Sequence, residues 1–144
     1  MRQSLTGMNY GLLDESTLEP RPDYWNSLLW KQLMGPRVLA ARAWGEGAER
    51  LRVYAHGGAE PDGVTVLAIN LDPEREALLD FPGLEGRGRE VYAVTAPDFL
   101  GGVVLLNGEV LALSGGALPA LRGVRRDEVR LEPLSYAFVR FEAG

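Results

Sequence analysis

With 144 residues, of which 46% are hydrophobic and 24% charged, the chain fits one globular domain with a core of its own. Its net charge is −5, and its fourteen Arg and single Lys (Lys31) are scattered, with only Arg125 and Arg126 adjacent; this excludes a general nucleic-acid binder, which needs clustered cations to neutralise phosphates. The absence of Cys excludes disulfides and thiolate-ligated metal sites, and no apolar run approaches the roughly 20 residues of a membrane-spanning helix.

The chain opens on Met1 without a basic region followed by an apolar stretch, so no export signal is expected in it. Residues Thr6 to Trp25, TGMNYGLLDESTLEPRPDYW, read as a strand end, a polar loop and the start of a helix. In that helix Trp25, Leu28, Leu29 and Leu33 recur at i, i+3, i+4 and i+8, with Asn26, Lys31 and Gln32 between them. Asp23 is the expected N-cap, Gly35 the left-handed C-terminal cap, and Pro36 the stop just beyond it. A helix of three turns cannot bury such a stripe by itself.

After Pro36 the apolar period becomes two. LRVYAH sets Leu51, Val53 and Ala55 on one face, and VTVLAINL sets Val64, Val66 and Ala68 opposite Leu67, Ile69 and Leu71. Further short runs follow at EALLDF, EVYAV, VVLL, EVLAL, VRLEP and SYAFVRF, separated by turn signals such as Gly57-Gly58, Asp72-Pro73, Pro82-Gly83 and Gly115-Gly116. Asn107-Gly108 is the sharpest hairpin signal, because a type I′ turn needs positive φ at both central residues. The expected class is mainly β, with seven to nine short strands in an antiparallel sandwich.

The residues offer little self-contained chemistry. His56 is the single histidine, and without Cys or a second His it anchors neither an ordinary zinc site nor a nucleophile–base pair, so a structural role is expected. Most carboxylates, Asp14, Asp62 and Asp72 among them, sit beside turn residues where capping or solvation is their ordinary use. GLEGRGRE lacks the Lys-Ser/Thr of a phosphate loop and reads as a connection. Trp25, Trp30 and Trp44 could form a sugar-stacking platform, but two of them lie in the helix, where core packing is the competing use. No cofactor and no metal are implied.

In its ordered motifs the chain resembles the C-terminal part of the heparanase and β-glucuronidase group, glycoside hydrolase family 79. The residues that carry the resemblance run from Met1-Arg2-Gln3 through Asn9-Tyr10, Asp14-Glu15 and Pro22-Asp23-Tyr24-Trp25 to Val38-Leu39. They continue in LRVYAH, Ala68 to Leu71, Leu106 to Gly108, Leu118 to Leu121 and Ser135 to Phe138, in the same order along nearly the whole chain.

The resemblance implies a (β/α)8 barrel carrying a C-terminal β-sandwich. Residues 1–35 would be the last barrel strand (QSLTG), its substrate-side loop (MNYGLLDE) and the last barrel helix from Tyr24 to Met34, and residues 36–144 the sandwich. Such enzymes are retaining, with one Glu as acid and base and another as nucleophile, both ahead of the segment matched here, so the chain is expected to lack both and to be inactive alone. In the family a Gly-Asn-Tyr element on that loop helps to bind the uronic acid; Asn9 and Tyr10 match it, Met8 stands where the glycine would be with one residue missing after Gly7, and the expected substrate-binding residues are Tyr10, Asn9 and Gly7. Tyr10 is the best-supported of these, the competing use being a tyrosine packed at a strand end. The implied partners are a glucuronic-acid-containing glycan or glycoside and the missing barrel portion, with no nucleic acid and no membrane; relatives are often exported or lysosomal. The alternative is a free-standing sandwich that binds carbohydrate or a protein without catalysis.

Overall fold

The structure, a computed structural model, describes residues 4–7, 10–58, 63–98 and 100–144. The described elements are helix α1 (Pro22–Leu33) and strands β1 (Val38–Leu39), β2 (Leu51–Gly57), β3 (Val64–Asn70), β4 (Ala77–Leu79), β5 (Arg89–Thr95), β6 (Leu105–Leu106), β7 (Glu109–Val110), β8 (Val124–Arg125), β9 (Val129–Leu131) and β10 (Tyr136–Phe141). The fold is mainly β and antiparallel, as the period-two runs require.

One sheet runs β1-β2-β3-β10-β5-β6-β7, with β8 also on β5, and β4 and β9 form a separate two-stranded ribbon. The centre of the large sheet is the pair β3 and β10, whose sequences VTVLAIN and YAFVRF are apolar on both faces. Strands buried on both sides read as continuous apolar runs, whereas β2, with exposed Arg52 and Tyr54, alternates.

The register sorts the central side chains into two layers. Phe138 lies opposite Leu67 on one side and Tyr92 on the other, and this face packs against Trp25, Leu29 and Leu33 of α1. Val139 lies opposite Val66 and Val91, and that face packs against Val129 and Leu131 of the ribbon. The helix stripe read from the sequence is thus buried on the large sheet. The outer side of the ribbon is charged: Arg130 Nη1 donates to Glu76 Oε1 at 2.8 Å and its Nε to Glu128 Oε2 at 2.8 Å.

The helix differs from expectation at both ends. Pro22 occupies its first turn and Arg21, with φ −84° and ψ 164°, is the capping position, so Asp23 lies inside the first turn. Proline has no N–H to satisfy and a preset φ, which suits it to start a helix there. At the other end Met34 is the cap with extended backbone, and Gly35 is not among the positive-φ residues. Gly35 is glycine for proximity: a Cβ there would run into the carbonyl oxygens of Gly57 and Gly58, and its N–H donates to Gly57 O at 3.0 Å.

Residues 5–7 lie in bends, and residues 4–7 form no ladder with a described strand. The Asn107-Gly108 hairpin is as expected, with φ 51° and 86° and with Leu106 paired to Glu109. The Asn107 side chain goes further. Its Nδ2 donates to Val91 O at 3.0 Å and Arg122 O at 3.2 Å, while Ala93 N donates to its Oδ1 at 3.1 Å. Asn70, 2% exposed, is the matching hub at the end of β3, donating to Arg75 O at 2.8 Å and Glu132 O at 3.1 Å.

Two substitutions test these packing statements. Trp25→Ala, at a residue 2% exposed, is expected to cost about 3–5 kcal/mol in denaturant titration; a loss below ~1 kcal/mol would mean that α1 is not part of the core. Asn107→Ala should destabilise by about 2 kcal/mol and Asn107→Gly by less. Glycine keeps the positive φ while dropping the side-chain bonds, so equal losses would assign the whole effect to the side-chain bonds.

Candidate substrate-side loop

The segment ahead of α1 is held by its own backbone. Leu13 N donates to Leu5 O at 2.9 Å and Gly11 N to Gly7 O at 3.0 Å, folding residues 4–7 onto residues 11–13. Gly11 must be glycine for this approach, because a Cβ there would sit 2.9 Å from Leu13 O and 3.0 Å from Gly7 N. Gly7 has φ 137°, a region that side chains disfavour. Leu13 then bridges Pro20, and Arg21 N donates to Leu12 O at 2.9 Å, so the loop returns to the helix start.

Asp14 organises the turn between them. Its Oδ1 accepts from Ser16 N at 3.0 Å, Ser16 Oγ at 2.7 Å and Thr17 N at 3.1 Å, and its Oδ2 from Arg21 Nη2 at 3.2 Å. Leu18 N donates to Asp14 O at 2.9 Å, and Leu18 is held at φ 59°, an unusual backbone for a branched residue. The hydrogen bonds from Ser16 and Thr17 hold the Asp14 carboxyl well below the ordinary carboxylate range. This is the turn role expected of an aspartate beside Ser and Thr.

Of the three expected site residues, Gly7 and Tyr10 are described and Asn9 lies outside the described residues. Tyr10 is 74% exposed, so its ring stands in solvent and is not packed at a strand end. Gly11, the residue that lets the loop close beside Tyr10, carries no sequence signal except its position between two turn-forming stretches.

The other candidates fall into structural places. His56 lies at the end of β2, and since a carbonyl can only accept, its protonated Nδ1 donates to Gly35 O at 2.7 Å. Its ring meets Trp30 edge-on at 5.3 Å. The three tryptophans are dispersed: Trp25 is buried against Tyr24, Trp30 lies beside His56, and Trp44 is 67% exposed on the segment after β1. GLEGRGRE connects β4 to β5 with Gly83 and Gly86 at φ 86° and 75°. Asp72 is an Asx turn, its Oδ1 accepting from Glu74 N and Arg75 N at 2.9 Å each.

No family model matches the chain. Among curated proteins it is similar to baicalin-beta-D-glucuronidase of Scutellaria baicalensis, at 39% identity over 96% of this chain and 27% of that protein. Heparanase-like protein 3 of Arabidopsis thaliana is 32% identical over 96% of this chain and 31% of its own length. Mouse heparanase is 39% identical over 84% of this chain and 24% of its own length. The chain therefore spans less than a third of each of these relatives.

The loop geometry carries a pH dependence. The folded Asp14 pKa lies below its ordinary 3.8, so its contribution to loop order is present above that value and is lost only as pH falls through the lower folded pKa. Amide resonances of Ser16 and Thr17 should keep their dispersed shifts as pH falls through the range where exposed carboxylates titrate. In Asp14→Asn they should be shifted at every pH. A Ser16 amide that moves with a midpoint near 3.8 in the parent chain would contradict the bonding.

Proposed function

Because the chain corresponds to the C-terminal part of heparanase- and β-glucuronidase-like proteins of glycoside hydrolase family 79, we propose that it is the β-rich portion of a retaining glucuronide hydrolase. In this reading residues 1–35 form the closing strand, substrate-side loop and last helix of a (β/α)8 barrel, and residues 36–144 form a β-sandwich that buttresses it. The observation that carries the reading is a match along 96% of this chain to only 27% of the Scutellaria enzyme.

The chemistry divides accordingly. Retention requires two carboxyl groups about 5–5.5 Å apart, one giving and taking the proton of the leaving oxygen and the other forming the glycosyl-enzyme bond. Both belong to the barrel. The contribution of this chain is to binding: the Tyr10 phenol donates a hydrogen bond to the carboxylate of a glucuronic acid, with the Asn9 amide beside it. A phenol-to-carboxylate bond is charge-assisted and contributes about 1.5–3 kcal/mol where water is excluded. Gly7, at φ 137° and without a Cβ, leaves the main chain open to the sugar. In this chain Tyr10 is exposed, the state expected of a contact whose opposite wall is elsewhere. The substrate class is a glucuronic-acid-containing glycan or glycoside.

A second reading, a free-standing module that binds carbohydrate without catalysis, is favoured by one feature, the exposed indole of Trp44. The two readings separate on activity and affinity. The purified chain should hydrolyse no aryl glucuronide, because acid–base and covalent catalysis are lost together, and should bind glucuronide oligosaccharides too weakly to saturate in calorimetry. Turnover that survives repurification would overturn the first reading, and saturable glycan binding abolished by Trp44→Ala would establish the second.

A further inference from the structure

Of the four asparagines in the chain, Asn9, Asn26, Asn70 and Asn107, Asn107 alone is followed by glycine. Asparagine is among the thermally labile residues, and its decay is intramolecular: the main-chain nitrogen of the next residue attacks Cγ. Glycine in that place has no Cβ to obstruct the attack and lets the chain take up the conformation that ring closure needs. In an unfolded stretch, Asn107-Gly108 is therefore the amide of this protein that reacts first.

The hairpin between β6 and β7 holds this pair out of reaction. At φ 51° Asn107 is left-handed, and the ψ of about +47° that accompanies such a φ turns Gly108 N nearly opposite to Cβ about the Cα–C bond. Ring closure needs the two almost eclipsed. The side-chain amide is also clasped: Nδ2 commits both hydrogens, to Val91 O at 3.0 Å and Arg122 O at 3.2 Å, and Oδ1 accepts from Ala93 N at 3.1 Å. The main chain adds a bond from Asn107 N to Ala93 O at 2.8 Å. To reach Gly108 N, the side chain must leave β5 and the Arg122 segment together, so reaction waits for the hairpin to open. Water is at hand when it does, because Gly108 is exposed and nothing lies within 4 Å of the place a Cβ would take.

We propose that Asn107-Gly108 is a conformation-gated deamidation site: the closed hairpin keeps the amide intact, each opening exposes it to ring closure, and the product cannot rebuild the clasp. In the opened hairpin Gly108 N bonds to Cγ, the Cγ–Nδ2 bond breaks, and Nδ2 leaves as ammonia with the proton that Gly108 N gives up. Solvent water then opens the succinimide at either ring carbonyl, to aspartate or to isoaspartate, and the chain gains one negative charge. Neither product fits. An aspartate carboxylate only accepts, so Val91 O and Arg122 O would each face an anion in place of a donor. Isoaspartate routes the main chain through Cβ, lengthening a turn that allows two residues between Leu106 and Glu109. The damage reaches the helix-covered core, because Leu106 and Leu111, on either side of the hairpin tip, pack in the same cluster as Trp25 and Leu29. This chemistry is independent of the proposed function.

The test is peptide mapping by mass spectrometry of the full chain after incubation at mildly alkaline pH, in native buffer and in concentrated urea. In urea Asn107 should deamidate faster than Asn26 and Asn70. In native buffer its rate should fall by about tenfold or more, because the population of the open hairpin sets it. Leu111→Ala, which removes a buried contact beside the hairpin, should raise the native rate by about tenfold and leave the urea rate unchanged. In Asn107→Asp the amides of residue 107 and Leu111 should exchange with deuterium about tenfold faster than in the parent chain, while those of Val66 and Ala68 stay protected. Equal rates in native buffer and urea would remove the gate, and a faster Asn26 or Asn70 in urea would remove the site. Exchange in Asn107→Asp as slow as in the parent chain would overturn the one-way opening.

Discussion

Everything in this structure depends on burying both faces of the central pair β3 and β10. Leu67 and Phe138 point one way and Val66 and Val139 the other, so the sheet needs a cover on each side or it exposes a wide apolar surface. Helix α1 is one cover and the β4–β9 ribbon the other. Burial of apolar area is the dominant favourable term in folding, so the two covers hold the sheet's faces away from water. The loop ahead of α1 is placed by this demand: it enters α1 at Pro22, and α1 is positioned by Trp25, Leu29 and Leu33 on the sheet.

Polar satisfaction at the seams makes the arrangement specific. Asn70, at the end of β3, and Asn107, in the turn between β6 and β7, each tie their position to main-chain carbonyls of neighbouring segments. His56 does the same between β2 and the end of α1 through Gly35 O. Each of these groups would be costly to leave unpaired, so they determine the register of the connections more tightly than the apolar contacts alone. The single histidine and the buried amide of Asn70 are both committed to backbone carbonyls.

Legibility in the sequence followed the range of the interaction. The helix stripe at Trp25, Leu29 and Leu33, the strands at LRVYAH, VTVLAIN and SYAFVRF, and the Asn107-Gly108 turn were all readable, because period and turn chemistry are local. The helix caps were misassigned at Asp23 and Gly35. Proline at the helix start displaced the first, and the approach of Gly57, far along the chain, gave Gly35 a reason other than its own φ. Gly11 is a local exception: its neighbours Leu13 O, Gly7 N and Leu5 O are close in sequence, but they approach it only once this loop adopts its particular fold. Of the candidate site, Gly7 and Tyr10 were nameable through the order of motifs, while the exposure of Tyr10 could come only from coordinates.

The sequence by itself determined the mainly β class, the place and apolar face of the helix, the main hairpin, and kinship with glucuronide-acting relatives through motifs in a fixed order. These depend on residue identity and on spacings of a few positions. Tertiary structure decided which sheet face the helix covers, which glycines are needed for contact, which carbonyls the asparagines and His56 satisfy, and that β4 and β9 stand apart as a ribbon over the other face. Those depend on residues tens of positions apart meeting, and the pairing of faces across a sheet is set by the whole set of strands rather than by any one of them.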